Sequence, residues 1–426
     1  MKWRSIPLAA IARQFISGGT PNRKNPDFWV GTIPWITGAD VVDGKVVTGR
    51  RFISQSAVAE SAANVVPRGG VLLVTRTGVG KVALANEDIA ISQDLTGILL
   101  GDGFVPAFVM WAIRSQINSL IAVQRGATIK GVLRNDVERI AIPFIGGSEQ
   151  RRIVELLEQA DGLRRQRAEA DALANRIIPA LFHKMFGDPA TNPKGWYQRK
   201  LGDVITEAAY GTSNPSNSNG EGLPVLRMNN ITVDGRLDLT DLKHVALDES
   251  ETEKQMLRTG DLLFNRTNSK ELVGKTGLWR GTHRAVAASY LIRVRVDSAQ
   301  VVPDYVWAWM NTSHFKQRLF DMTRRAVGMA NINATELRVM PILVPEMRRQ
   351  KAFGALLESI ETLFDHRSES ARQLERLFAV MLHRAFSGEL TAKWREAHLK
   401  ELLIEMEQQT TTLRAASKHE YGGDHG

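Results

Sequence analysis

The sequence predicts an α+β protein: two similar domains and two long helices, arranged as an internal repeat with pseudo-twofold character. Two observations predict this. Residues 150–186 align without gaps on 350–386 at an offset of 200, pairing Gln150 with Gln350, Leu156-Leu157-Glu158 with Leu356-Leu357-Glu358, Leu163 with Leu363, Arg167 with Arg367, His183 with His383 and Phe186 with Phe386. The paired segments carry helical periodicity, whereas the stretches ahead of them carry short apolar runs separated by turn residues.

Composition agrees with a folded chain of several domains. At roughly 100–200 residues per domain, 426 residues correspond to two to four domains, and 43% hydrophobic with 24% charged residues excludes disordered and collagen-like classes. Cysteine is absent, which removes disulfides, thiolate zinc sites and cysteine nucleophiles. No apolar run approaches the ~20 residues that cross a bilayer. The opening MKWRSIPLAAIARQF imitates a secretory signal, but Ile6 to Ala12 has an internal counterpart around 199–205, so it is expected to belong to a domain.

The chain divides into a first domain (1–145), a helical region with its linker (146–192), a second domain (193–345), a second helical region (346–390) and a tail (391–426) expected to hold one more helix and a disordered end from Lys418. Faint landmarks link the domains: Arg68, Gly70, Leu72-Leu73 and Arg76-Thr77 with Arg258, Gly260, Leu262-Leu263 and Arg266-Thr267, then Gly80-Lys81 with Gly274-Lys275, and Pro106 and Val109 with Pro303 and Val306. Each domain shows strands such as Val71 to Val74 and Asp261 to Phe264, and one apolar helical stretch, near 106–121 and 303–320. Trp35, Trp111, Trp307 and Trp309 sit among Ile, Val and Met and are expected in the core.

In the first helical region apolar residues at 153, 156, 160, 163, 170, 174, 177 and 181 follow a heptad rhythm, repeated at Phe353, Leu356, Ile360, Leu363, Ser370, Leu374, Leu377 and Met381. A second stripe (Leu357, Phe364, Phe378, Leu382, Phe386) widens the apolar face. Arg167 and Arg367 fall at the same seam position, either as polar residues that set register or as side chains reaching to the rim. About 37 helical residues span ~55 Å, more than the ~34–36 Å of one DNA turn. Pro179, where the repeat has Ala379, predicts a kink or early break, and GDPATNPKGW from Gly187 to Trp196 reads as a linker.

Charge is partitioned. The net charge is +9; the first domain holds 16 Lys/Arg against 10 Asp/Glu and the second 20 against 16, while the helical regions and tail are close to neutral. An anionic partner for the domains is the expectation. Two loops carry side chains suited to phosphates or base edges: Arg76, Thr77 and Lys81, matched by Arg266, Asn268, Lys270 and Lys275; and Arg125 and Lys130, matched by Arg324. A Gly-rich hairpin with exposed charges, and a Gly-capped helix end, are the plain alternatives for the two loops.

Catalytic signatures fail on specific residues. A phosphate-binding Gly-rich loop needs Gly five positions before the Gly-Lys pair, and Thr75 and Ser269 stand there. Asn25-Pro26-Asp27-Phe28 lacks the second proline of a base-flipping adenine methyltransferase loop. No metal-binding His spacing is present. Catalysis in this chain alone is not expected.

The arrangement resembles the specificity subunit of type I restriction-modification enzymes over nearly the whole chain to about residue 395. The pieces that carry the resemblance are LFHKMFGDPATNPKGW (181–196), GGVLLVTRTGVGK, TGDLLFNRTNSKELVGK, GGTPNRKNPDFWVGTIPWITGAD (18–40) and the helix starts at Gln150 and Gln350. The lead into each helix departs from the usual proline-rich form. The resemblance implies two target recognition domains, each reading half of a split DNA site, and an antiparallel coiled coil that sets the gap. It further implies binding of two methyltransferase subunits and of restriction/translocase subunits, with S-adenosylmethionine held by the partner methyltransferase and no cofactor in this chain. Leu156, Arg167, Leu181, Leu356, Arg367 and Met381 are the expected helix–helix and partner-binding residues, and the cytoplasm is the expected compartment. The rival reading is a non-catalytic scaffold whose basic domains bind RNA or protein.

Overall fold

The computed structural model describes residues 3–42, 44–125, 131–269, 272–281, 283–323 and 330–421, with Thr323 and the last seven of these by backbone alone. It forms two compact units: Met1–Gln166 with Arg372–Gly426, and Arg167–Ala371. The boundary falls inside both long helices, Gly147–Ala174 and Met347–Ser387. Helix and sheet are both abundant, as an α+β chain requires.

In the first unit, strands Ala12–Ser17, Leu95–Leu100, Val71–Val74 and Val82–Leu84 form an antiparallel sheet in that order. A second four-stranded sheet pairs Ile33–Ile36 in parallel with Ile89–Ile91. Helix Pro106–Ser115 is buried from Phe108 to Ile113, with Trp111 2% exposed. The second unit repeats the plan: Ile205–Tyr210, Leu291–Val296, Leu262–Asn265 and Thr276–Leu278 form the antiparallel sheet, Leu223–Leu226 runs parallel to Val286–Ala287, and helix Pro303–Met310 is buried. Proline opens both buried helices, where its missing N–H has no helical partner to lose. All four tryptophans assigned to the core are inside.

The fillings of the two sheets differ. In the first unit Ile16, Val66, Leu72, Val74 and Leu99 pack as an aliphatic cluster, and a Cβ on Gly97 would lie 2.3 Å from the Val66 side chain. Strand pairing places Arg293 and Arg295 at the positions of Gly97 and Leu99. Their guanidiniums pair with Glu207 and Asp261, and Arg293 is only 4% exposed. Burial pushes the Glu207 carboxyl up, but the hydrogen bonds and charges of the two arginines outweigh it and hold the group below the usual carboxylate range.

The long helices run antiparallel. In the first unit Arg164 meets Glu375, with Nε to Oε1 at 2.9 Å. In the second Arg367 pairs with Asp171, and Phe182 lies against Phe353 at a centroid distance of 5.9 Å. Arg167 Nη2 donates to the Arg367 carbonyl at 2.6 Å, so both arginines bond across the helix pair with about a quarter of each side chain exposed. The first helix stops at Ala174, and Ile177–Phe186 resumes with Pro179 in its first turn, so the break precedes the proline. This follows from the ring's clash with the carbonyl four residues back.

The heptad seam is corrected in part: Ile153 and Phe353 are fully buried, as expected, but several of its leucines are not. Leu163, Leu356, Leu363 and Leu377 are 59%, 46%, 62% and 64% exposed, while Leu157, Phe182, Leu357, Phe364 and Phe378 are buried. The later part of each helical region packs against the domain that it does not follow in sequence, as well as against the other helix: Phe378 on Trp111, Phe386 on Phe108, and Phe182 on Tyr305. The aromatic stripe answers both neighbours, and these four heptad leucines are left outside. Leu156 is half-buried; Leu181 and Met381 pack at the edges of the two cores.

The tail is also corrected. Helix Leu399–Tyr421 continues through Lys418 to Tyr421, and 422–426 lie outside the described residues. Leu402 is buried, Glu405 accepts from the Ser148 amide at 2.9 Å, and Gln409 donates to the Gly103 carbonyl at 2.6 Å. An acid at the first turn of helix Gly147–Ala174 suits its unpaired N–H groups. Arg395 reaches the buried Glu149 at 2.8 Å.

Two predictions follow from these contacts. Gln150 and Gln350 are fully buried; each accepts from the amide of Val105 or Val302 (2.8 and 2.9 Å) and donates to the carbonyl of Ile145 or Pro345 (2.9 and 2.8 Å). Gln350→Leu leaves both backbone groups unpaired and should lower unfolding free energy by about 1–3 kcal/mol in urea titrations. Because the folded pKa of Glu207 is depressed, its stabilisation is fully present above the unfolded carboxylate value of roughly 4.3 and is lost as pH falls through the folded value. Glu207→Gln should therefore lower the urea midpoint at pH 7 and bring wild type and variant together at strongly acid pH.

Candidate nucleic-acid interface

The strand Val71–Val74 ends in Thr75, whose amide donates to the Asp94 carbonyl at 2.8 Å. Beyond it Arg76, Thr77 and Gly78 are exposed. Thr77 holds φ at 44°, and Gly78 and Gly80 follow at 100° and 106°, so the loop turns through left-handed conformations that glycine tolerates best. The second candidate loop returns to the same place. Val132 donates to the Thr75 carbonyl at 2.9 Å, Gly131 is bridged to Arg76, and Gly131 and Arg125 exchange two backbone hydrogen bonds of 2.9 Å. Arg76 and Arg125, 49 positions apart in sequence, thus flank one glycine on an exposed edge. Arg125 also lies 3.8 Å from the Asp136 carboxylate.

The second unit brings its two loops together in the same way. Thr267-Asn268 pairs with Ala330-Asn331, and the Ile332 amide donates to the Arg266 carbonyl at 2.9 Å. The hydrogen bonds correct the sequence register by one residue. Val74 donates to Lys81 O and Asn265 to Lys275 O, both at 2.9 Å, so Val74 matches Asn265 and Thr75-Arg76-Thr77 matches Arg266-Thr267-Asn268. A slip of one residue exchanges the faces of a strand. Arg266 is accordingly half-buried, with its guanidinium 4.8 Å from the Tyr210 ring centroid, and Thr267 holds the place of Arg76. Asn268 Nδ2 lies 3.7 Å from Met228 Sδ.

The matched lysines turn toward protein. Lys81 Nζ donates to the Gly38 carbonyl at 3.2 Å, and Lys275 Nζ to the carbonyls of Met228 and Ile231 at 3.0 and 2.5 Å. Lys275 is buried, and desolvation lowers its pKa. Gly38 and Met228 each open a short 3-10 turn, so the Gly-Lys pair fastens the loop to that turn in both units. This is a correction for Lys275, whose ammonium is enclosed; the sequence places it on an exposed loop. Lys130, Lys270 and Arg324 lie outside the described residues.

A model of the type I restriction modification DNA specificity domain matches residues 2–170. The type I restriction enzyme EcoKI specificity subunit of Escherichia coli K12 is 27% identical over 320 residues, covering 70% of this chain and 67% of that protein. The StySPI specificity subunit of Salmonella potsdam is 23% identical over 423 residues, covering 92% and 90%. The chain is thus similar to type I restriction-modification specificity subunits, through the matched domain at residues 2–170 and along most of its length. In fold it is similar to the S subunit from M. genitalium, with a TM-score of 0.52 at 13% identity over 91% of this chain and 96% of that one. It is likewise similar to a chain from a type I R-M assembly study, with a TM-score of 0.53 at 21% identity over 91% and 98%.

Two features were not anticipated from the sequence. Arg76 and Thr75 donate their amides to Asp94 O, while Arg266 donates to Tyr290 O, so an acid in one unit and a 49%-exposed tyrosine in the other stand beside the loop at matched places. Nothing in the local sequence marks either; strand pairing alone brings them in. The other feature is apolar. In the first unit the Arg164–Glu375 pair sets Leu163 and Leu377 at one level of the helix pair, and in the second the Asp171–Arg367 pair sets Leu173 and Ile177 level with Leu363. The repeat relates Leu163 to Leu363 and Ile177 to Leu377, giving two like patches whose signal was present as the heptad stripe.

Proposed function

We propose that this specificity subunit reads a bipartite site on double-stranded DNA, one half with each domain, and recruits two methyltransferase subunits through its helices. The observation that carries the reading is the convergence, in both units, of two distant loops on an exposed edge built by the same backbone hydrogen bonds but bearing different side chains. A shared backbone with unlike side chains is what reading two unlike half-sites requires. Lysine and arginine contacts to phosphate supply most of the affinity and its salt dependence, and base-edge contacts supply specificity. Arg76 is suited to a guanine edge and Asn268 to an adenine edge, and Asp94 to the amino group of cytosine.

The partner methyltransferase uses S-adenosylmethionine to methylate adenine, and restriction/translocase subunits join through the same assembly. The chain itself contributes no reacting group, and the complex works in the cytoplasm. Exposed patches around Leu163 and Leu363 are suited to the two methyltransferase subunits, since contiguous apolar surface on a folded chain marks partner sites.

Methylome sequencing of a host carrying the assembled complex tests the reading. Arg76→Ala should relax one half of the methylated motif, and Asn268→Ala the other, with about 1–3 kcal/mol lost per bidentate base contact. A motif unchanged in both halves, or equal competition by duplex RNA in a mobility shift, would overturn it. Leu363→Asp should leave the melting temperature within a degree or two while removing one of two methyltransferase subunits in sedimentation or native mass measurements; retention of both would refute the assignment of that patch.

A further inference from the structure

The second unit contains a cavity of about 370 Å³ between helix Ile177–Phe186, helix Pro303–Met310 and Phe364 of the second long helix. It is lined by the apolar faces of Ile178, Phe182, Trp307, Ala308 and Phe364. The first unit fills the matched place. Gly44 stands against the Arg114 guanidinium as Gly235 stands against the Asn311 amide, with 2.9 and 2.5 Å from a Cβ built on each glycine. That match sets Arg114 on Asn311 and, three residues earlier, Trp111 on Ala308. The repeat likewise sets Phe378 on Ile178 and Arg164 on Phe364. In the first unit the Trp111 and Phe378 rings lie 5.8 Å apart, with Arg114 4.4 Å from the indole centroid and Arg164 4.2 Å from the phenyl centroid. Where that unit has an indole, the second has a methyl group.

We propose that the cavity is a binding site for an uncharged planar bicyclic aromatic molecule of about the size of indole. The rings of Phe182 and Trp307 offer it aromatic surface, while Phe364 is already covered by the Arg236 guanidinium at 4.6 Å, and aromatic pairs are favourable at centroid distances of ~4.5–7 Å. An apolar cavity of ~150 Å³ already stays dry and takes up benzene, and small-molecule sites begin near ~300 Å³. Polar groups at the cavity are largely engaged: Lys316 donates to the Val233 carbonyl at 3.1 Å, Asp234 accepts from Arg236, and the Asn311 amide donates to the Thr276 and Trp307 carbonyls. They leave little to hold a charged ligand, which favours a neutral one. The bound ring braces the domain helix Pro303–Met310 against Ile177–Phe186 and the second long helix, as Trp111 braces the first domain. The proposal is independent of what the domains read on DNA.

Indole is the probe, added to the full chain and followed by calorimetric titration and thermal unfolding. Wild type should bind one equivalent and gain several degrees in melting temperature. Ala308→Trp should lose that binding and melt higher than wild type without indole; Ala308→Leu, a smaller filling, should weaken binding at least tenfold if the tryptophan variant does not fold. Trp111→Ala should melt lower, bind a second equivalent and recover part of the loss with indole. No binding to wild type at millimolar indole overturns the proposal, most clearly if indole rescues Trp111→Ala in the same assay. So does binding that neither Ala308 variant diminishes.

Discussion

Each domain is fastened to the long helix that leaves it by one fully buried glutamine. Gln150 and Gln350 fill the same role at bond lengths of 2.8 and 2.9 Å, joining the amide that precedes the buried domain helix to the carbonyl that precedes the long helix. A buried amide side chain is tolerated only when its polar atoms are satisfied, so the orientation of the two helices is set wherever both bonds form. Everything beyond depends on that joint: the aromatic stripe meets the domain core, and Leu163, Leu356, Leu363 and Leu377 are carried to the outer side.

The repeat preserves backbone bonds and releases side chains. The strand-to-loop hydrogen bonds recur at 2.9 Å in both units, and so does the lysine that fastens each loop to a 3-10 turn. Around this frame one sheet is filled with aliphatic residues and the other with two arginines paired to Glu207 and Asp261. The matched residue beside each loop is Asp94 in one unit and Tyr290 in the other. Such tolerance belongs to a scaffold whose contacts to a ligand are free to vary while its shape is held.

The tail breaks the symmetry. Glu405 and Gln409 bond to the first unit at the head of its long helix and at Gly103, and Arg395 answers the buried Glu149. The matched head of the second helix carries Arg348, Arg349 and Lys351, all exposed. The two long helices are thus related in their seams and unlike at their starts.

The repeat, the helix positions, the buried tryptophans and the charged domains were legible in the sequence, because each rests on local spacing or composition. The offset of 200 persists where helices meet several neighbours at once, so few substitutions were compatible with both partners. What escaped depended on contacts between distant residues. The one-residue register of Arg266, the inward turn of Lys275 and the arrival of Asp94 and Tyr290 are decided by strand pairing. The heptad pattern was correctly seen but faced the core only in part, at Ile153 and Phe353 and not at Leu163, Leu356, Leu363 or Leu377, because periodicity reports that a stripe is apolar and not which neighbour covers it. Only the packed structure, in which each helix answers a domain and a second helix together, decides which of two apolar stripes is withdrawn from water.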